Sequence, residues 1–402
     1  MTIKETQCSK SWTDININLD TRSVSYCCKA VFHPFPEKLT EEFLSKNEII
    51  TERRLKSLEG IAHSDCISCW NDYDKGNSAF REWANKWSPE FFKQYKNVLT
   101  DDKFINYVQI NPSKTCDMSC IYCHAGSSSK IAQEEGIEVQ DNTSEEDYIV
   151  FKSWLTNHIK RTDHLEKDLI FNFLGGEATA SERFYELVDA IEESAKGSSR
   201  AIRLEICTNA NSKKFLMDKL IAKIDTSKLK WGIAISNESF GIDAELIRDG
   251  LSWERFSENF RRYIQHPNIE LIVLSPTINI FNLKSFPDYI KWVYEQFKTY
   301  APDKQFTWYG NFISWPDELD IATLPTQYDI YLEQAKQVVL EYSDQLNHHD
   351  KENFAIFFDN MKQRIGVSHD VNYKQTAKKF LERKQQFKKT DKLIKLMDNL
   401  DL

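Results

Sequence analysis

From about residue 103 the sequence alternates between short apolar runs and longer segments of helical periodicity, and no other feature constrains the fold as strongly. Strands are predicted over 105–111, 168–174, 202–208, 229–236, 269–275 and 305–313, with helices between them near 145–160, 181–196, 212–224, 252–265 and 283–299. Thr143-Ser144-Glu145-Glu146 opens the first of these helices with a capping-box pattern. Six strands alternating with helices need crossover connections, and such connections build a parallel sheet. The span is too short for eight strand–helix units. The expected fold is therefore α/β, an open or partial (β/α)6 barrel whose sites lie at the carboxyl ends of the strands.

The flanking segments differ in character. Residues 1–100 are rich in cysteine and irregular, an expected small α+β domain. Within it Ile15-Asn16-Ile17-Asn18-Leu19 alternates as a half-exposed strand, and Asp20-Thr21-Arg22-Ser23 turns it into Val24-Ser25-Tyr26 as a hairpin. Helices are expected near 39–58 and 78–98. Residues 101–324 form the alternating domain, and 325–402 read as a helical extension. There Tyr373, Phe380, Phe387 and Ile394 recur every seven residues, while Lys374, Lys378, Lys379, Arg383, Lys384, Lys388, Lys389, Lys392 and Lys395 fill the other faces. This pattern reads as a long helix docked through its apolar stripe, with a solvated basic face. A partner or anionic-substrate surface is the alternative. Residues 124–144 are too long a connection to be a simple turn, and a mobile loop beside a site is expected.

The chain has 402 residues, with 52 Lys and Arg against 61 Asp and Glu, a net charge of −9 with His neutral. That balance argues against non-specific nucleic-acid binding, which needs a basic footprint. No apolar run approaches the ~20 residues of a membrane span. The N-terminus, Met-Thr-Ile-Lys-Glu-Thr-Gln, lacks the apolar stretch of a secretory signal, so the expected location is the cytoplasm. Nine cysteines are present, and all but Cys207 lie in the first 123 residues. In a reducing compartment such clusters bind metal or do redox chemistry more often than they form disulfides. Their distribution reads as two metal sites and one cysteine left over.

Cys116-Asp117-Met118-Ser119-Cys120-Ile121-Tyr122-Cys123 follows the first strand of the alternation. Three thiolates from one tight loop can hold three irons of a [4Fe–4S] cubane and leave the fourth open to a small ligand. A structural zinc would need a fourth ligand, for which His124 is the candidate. At this motif the chain resembles the radical S-adenosylmethionine (SAM) superfamily, which is known for this cysteine spacing and for the aromatic residue, here Tyr122. The resemblance implies that the open iron binds SAM and that one electron splits it to methionine and a 5′-deoxyadenosyl radical. That radical removes hydrogen from a peptide or small-metabolite substrate. The resemblance also implies an electron donor such as flavodoxin or ferredoxin.

Other positions match the superfamily pattern in order. Leu174-Gly175-Gly176-Glu177 resembles its Gly-Gly-Glu motif, which meets the SAM amino group; Ala178 stands where the family usually has Pro. Two glycines let a backbone approach a ligand, and a carboxylate suits an ammonium. Thr208-Asn209 resembles the family's Thr-Asn near SAM, and Ser236 stands where members contact the ribose. Arg248 is a candidate for the SAM carboxylate, with a plain surface ion pair as the alternative.

Cys8, Cys27 and the pair Cys66 and Cys69 could enclose one further, fully ligated metal centre. Cys27 is preferred to Cys28 because consecutive side chains on a strand point apart. These residues resemble the auxiliary-cluster modules called twitch or SPASM domains, which hold extra [4Fe–4S] clusters. Those modules usually follow the radical SAM core, whereas here the segment precedes it, and Thr21-Arg22 replaces the common hairpin Gly. Four thiolates suit zinc equally well. Cys207 shares a strand face with Glu205. It is either a small buried hydrophobe or a thiol able to donate hydrogen to a substrate radical. A radical SAM enzyme is thus the expected function. The alternative is a non-catalytic zinc or Fe–S protein that binds a partner through its helical tail.

Overall fold

The computed structural model describes residues 6–74, 84–85, 98–139, 143–313, 315–342, 348–368, 372–383, 390–398 and 400. Most of the helix expected near 78–98 falls outside these residues. In chain order the strands are β1 (Asp14–Asn18), β2 (Ser23–Ser25), β3 (His33–Pro34), β4 (Tyr107–Asn111), β5 (Ser119–Cys120), β6 (Leu169–Phe173) and β7 (Ile202–Thr208). They continue with β8 (Lys230–Ile235), β9 (Arg248–Asp249), β10 (Ile269–Leu274), β11 (Thr277–Ile278), β12 (Phe306–Trp308) and β13 (Asn311–Phe312). Parallel strands alternate with helices through the middle of the chain, as its periodicity predicts. The strand expected over 305–313 is instead two short pieces, β12 and β13. They are separated at Tyr309-Gly310, where a Cβ on Gly310 would lie 2.3 Å from the Phe357 ring. The connection expected to be a loop over 124–144 contains a short helix, Ser129–Glu134, capped by the Ser128 hydroxyl. The chain divides into two compact units that interleave along the sequence: residues 1–113, 140–205 and 227–229, and residues 114–139, 206–226 and 230–402.

In the first unit the strand order is β3-β2-β1-β4-β6. The predicted hairpin forms, with Asn16 opposite Ser25 and Ile17 opposite Val24. Its first strand also pairs in parallel with β4, Asp14 beside Tyr107 through Asn18 beside Asn111, and β4 pairs in parallel with β6. Ile15, Ile17, Val108 and Ile110 are all buried, so the period-two pattern of the hairpin and that of the first alternating strand fill the same apolar layer. Helix Glu145–Arg161 begins at a Ser144 cap on the Asp147 amide, with three acidic residues in its first turn and His158, Lys160 and Arg161 in its last. Phe151, Trp154, Leu155 and Ile159 form its buried stripe, and Phe184 of helix Glu182–Ala195 meets Phe173 edge to face at 5.0 Å.

The second unit carries β8, β10 and β12 side by side in parallel, Ile233 beside Ile272 and Ile272 beside Phe306. Helix Trp253–Gln265 buries Phe256, Phe260, Tyr263 and Ile264 on one face, and Phe256 and Phe260 pack with Trp253 and Trp292 in one aromatic cluster. The helical extension comprises Asp329–Glu341, His348–Arg364, Tyr373–Arg383 and Thr390–Asp398. The heptad stripe is therefore distributed over two helices; Phe387 lies outside the described residues. Phe354, Phe358, Met361, Phe380, Leu381 and Leu396 are buried, Phe354 meets Trp308 at 5.2 Å, and Tyr328 donates to the Leu400 carbonyl at 2.6 Å. No helix among the described residues is long and apolar enough to cross a membrane.

Candidate active site and candidate metal centre

The loop bearing Cys116, Cys120 and Cys123 is pinned near each cysteine. The Cys116 amide donates to the Ser129 hydroxyl at 3.0 Å, and that hydroxyl lies 3.1 Å from the Cys116 carbonyl. Ser128 donates to the Met118 carbonyl at 2.7 Å, and the Cys123 amide to the Cys120 carbonyl at 3.0 Å. Strands β5 and β9 pair antiparallel, which sets Cys120 opposite Arg248 and Ser119 opposite Asp249. All three thiols are half-buried. Burial pushes the Cys120 thiol well above its ordinary value, Arg248 opposes the shift, and Cys123, Cys116 and Glu238 add to it.

Behind this loop lies a buried charge cluster. Tyr122 donates its hydroxyl to Glu238 at 2.9 Å. Arg248 holds the same carboxylate with Nε at 3.0 Å and a terminal nitrogen at 2.6 Å, while its guanidinium carbon stands 5.6 Å from the Tyr122 ring centre. Glu238 is 0% exposed and Arg248 5%. Arg248 is thus neither in a surface ion pair nor a loose cation; its fork is closed on Glu238. Glu238 lies just past the strand expected over 229–236, and nothing in the sequence singles it out. Its role is visible only once Tyr122 and Arg248 converge on it.

The other candidates occupy strand ends. Gly175 has φ +127°, and a Cβ there would lie 2.4 Å from the Ser113 carbonyl and 2.6 Å from Asn111 Oδ1. The Gly176 amide donates to the same Ser113 carbonyl at 3.2 Å. Glycine is therefore required by the backbone at position 175, which runs against the segment leaving β4. Glu177 is buried and accepts from Thr179 at 2.6 Å. Asn209 accepts from the Asn211 amide at 2.8 Å, and the Ser236 amide donates to the Thr208 carbonyl at 2.9 Å. Asn211 then reaches the Gly250 carbonyl at 3.0 Å and accepts from the Ser252 amide at 3.0 Å. A Cβ on Gly250, at φ +103°, would lie 2.9 Å from the Asp117 carbonyl in the cysteine loop. Nothing in the sequence singles out Asn211 or Gly250; an Asn between Ala210 and Ser212 and a Gly next to an Asp look like ordinary turns. Along β7, Arg203, Glu205 and Cys207 alternate with buried Ile202, Leu204 and Ile206.

In the first unit Cys8, Cys27, Cys66 and Cys69 line one cavity together with Arg53, His63 and Trp70. Cys28 is exposed. Cys8 precedes the short helix Lys10–Thr13, Cys27 follows β2, and Cys66 and Cys69 stand one helical turn apart at the start of helix Ile67–Asp74. Trp70 braces that turn by donating to the His63 carbonyl at 3.0 Å. Burial pushes Cys8 up to about 12 and raises Cys66 as well. Cys27 is held down by a hydrogen bond from Cys28. Two nitrogen atoms at this cavity, Arg53 Nε and His63 Nε2, are buried without a hydrogen-bond partner. Soft thiol donors beside orphaned buried nitrogens fit an anionic, thiolate-ligated centre. Among the described residues, no three His, Cys, Asp or Glu side chains stand in an arrangement that would hold a single metal ion.

No protein-family model matches the chain, and no curated protein matches it. Among solved structures, native anSMEcpe with bound AdoMet and Cp18Cys peptide aligns at 18% identity over 58% of this chain and 60% of that one, with a TM-score of 0.38. TYW1 with a lysine–pyruvate adduct bound aligns at 12% identity over 60% of this chain and 74% of that one, with a TM-score of 0.33. Likeness at this level does not assign the chain to a family.

Proposed function

We propose that this protein is a radical SAM enzyme built on a partial (β/α)6 barrel, with Cys116, Cys120 and Cys123 as the ligands of its catalytic [4Fe–4S] cluster. The observation that carries the reading is the cysteine loop itself, with three half-buried thiols on one loop and Cys120 in register with Arg248. When bound, the cluster and SAM supply the reductive cleavage that yields methionine and a 5′-deoxyadenosyl radical. The chain's own residues bind, orient and exclude water. Tyr122, Glu238 and Arg248 form a buried clamp that holds the cysteine loop against β9. Gly175 and Gly176 offer a backbone with no side chain at a strand end, and Glu177 provides a carboxylate for the SAM ammonium. Asn209 and Ser236 are assigned to the adenosyl half, and the substrate class is a peptide or a small metabolite. Cys207, on the half-exposed face of β7, is the candidate hydrogen donor.

Cys8, Cys27, Cys66 and Cys69 are assigned to an auxiliary [4Fe–4S] centre. The alternative is a non-catalytic zinc or Fe–S protein that binds a partner through its helical tail. The test is iron, acid-labile sulfide and zinc per chain after anaerobic reconstitution, together with SAM cleavage under reduction. About eight iron and eight sulfide are expected, and Cys120→Ala should abolish cleavage. Four iron with one zinc reassigns the auxiliary centre alone. Zinc without iron or sulfide, or cleavage that persists in C120A, refutes the enzyme reading.

A further inference from the structure

Helix Glu48–Glu59 places two successive arginines in the interior of the first unit, and their surroundings differ. Arg54 donates to three backbone carbonyls, those of Ser11 at 2.9 Å, Leu99 at 3.0 Å and Asp101 at 2.8 Å. Arg53 is 2% exposed, lines the cavity of the four cysteines, and its Nε has no hydrogen-bond partner. Asp65 and, once ionised, Cys66, Cys27 and Cys8 are the anionic groups within its reach, and its side chain hydrogen-bonds Cys66. Asp65 already accepts from His33 at 2.7 Å. A guanidinium in this setting lacks a full counter-charge until the thiols become thiolates around a bound centre.

Charge arithmetic says what such a cation does. Four thiolates carry −4; around an oxidised [4Fe–4S] core of +2 the centre is −2, and one added electron makes it −3. A fixed cation in a low-dielectric cavity stabilises the reduced form more than the oxidised one, so it raises the reduction potential. We propose that Arg53 is the buried counter-cation of the auxiliary centre and holds its reduction potential up, making that centre the easier electron acceptor. The inference rests on reading the four-cysteine site as an iron–sulfur centre. It gives Arg53 a positioning and electrostatic role, not a ligand role.

The experiment uses full-length protein reconstituted with iron and sulfide without oxygen, as wild type, Arg53→Lys, Arg53→Met and Arg53→Gln. Iron, sulfide and zinc are counted first, and a potentiometric titration is then followed by electron paramagnetic resonance. R53M and R53Q should lower the auxiliary midpoint by at least 59 mV, a tenfold change in a one-electron equilibrium. R53K should stay near wild type, and the midpoint of the Cys116–Cys123 site should not move in any variant. If the neutral variants lose the auxiliary cluster while R53K keeps it, the charge requirement stands. An unshifted midpoint in R53M or R53Q overturns the proposal, and so does loss of the auxiliary cluster in R53K as well. Zinc or no metal at the site in the wild type is a different failure: it defeats the iron–sulfur reading and is seen in the metal count before any potential is measured.

Discussion

Glu238 shows how one carboxylate can organise a site. It is wholly buried, and both its partners are residues that matter for the cysteine loop: Tyr122 inside that loop and Arg248 opposite Cys120. Removing one member of a buried pair leaves the other charge without compensation, which costs about 3–5 kcal/mol. Glu238→Gln should therefore lower the urea midpoint and lose iron from the Cys116–Cys123 site together. Glu238→Gln with Arg248→Met should recover part of the stability, because the stranded cation is gone. If E238Q is as stable as wild type and fully loaded, the clamp is not what holds the loop. From sequence, Tyr122 and Arg248 could be named as candidates one at a time. Their common partner could not, because 116 residues separate Tyr122 from Glu238 and only folding brings them within 2.9 Å.

Elements are tied to one another by a few polar joints whose loss can be measured. Asp102, just ahead of β4, accepts from three residues of helix Glu145–Arg161: Trp154 at 3.1 Å, Arg161 at 2.7 Å and His158 at 3.2 Å. Burial raises its pKa, but the hydrogen bonds and charges of His158 and Arg161 outweigh burial and hold the carboxyl down to about 2, against 3.8 in an open chain. A depressed carboxylate stabilises the fold above its unfolded pKa, and the contribution fades as pH falls through the folded value. The effect amounts to about 2 kcal/mol at neutral pH. Asp102→Asn should lower Tm near neutral pH, with the gap from wild type closing between about pH 4 and pH 2; a gap independent of pH would contradict this. Farther along, at the break between β12 and β13, the Phe357 ring occupies the place a Cβ on Gly310 would take. Gly310→Ala should be destabilised, and Gly310→Ala with Phe357→Ala should show a favourable coupling in a double-mutant cycle. Additive effects would mean that the ring yields freely. The strands and helices themselves were legible within a few residues, because periodicity is a local property. The need for glycine at 310 was not, since the ring that excludes a Cβ there sits 47 residues away.

At the scale of the whole molecule, the two cysteine groups belong to different units of the chain, Cys8 to Cys69 in one and Cys116 to Cys123 in the other. They should therefore load independently. Cys66→Ser is expected to halve the iron and sulfide content, from about eight to about four, and to leave the SAM-site spectroscopic signal in place. Loss of both signals would mean that the sites assemble as one. The cysteine spacings, the parallel order of strands and helices, the hairpin of Ile17 and Val24, and the acidic balance of the chain were all determined by sequence. The first three depend on neighbours within a turn, a strand or a loop, and the last is a sum over the composition. That β1 pairs with β4, that Arg53 stands among four thiols, and that Glu238 closes on Tyr122 and Arg248 were decided by tertiary structure alone. Buried polar groups must find partners wherever the fold puts them, and no local pattern records where that will be.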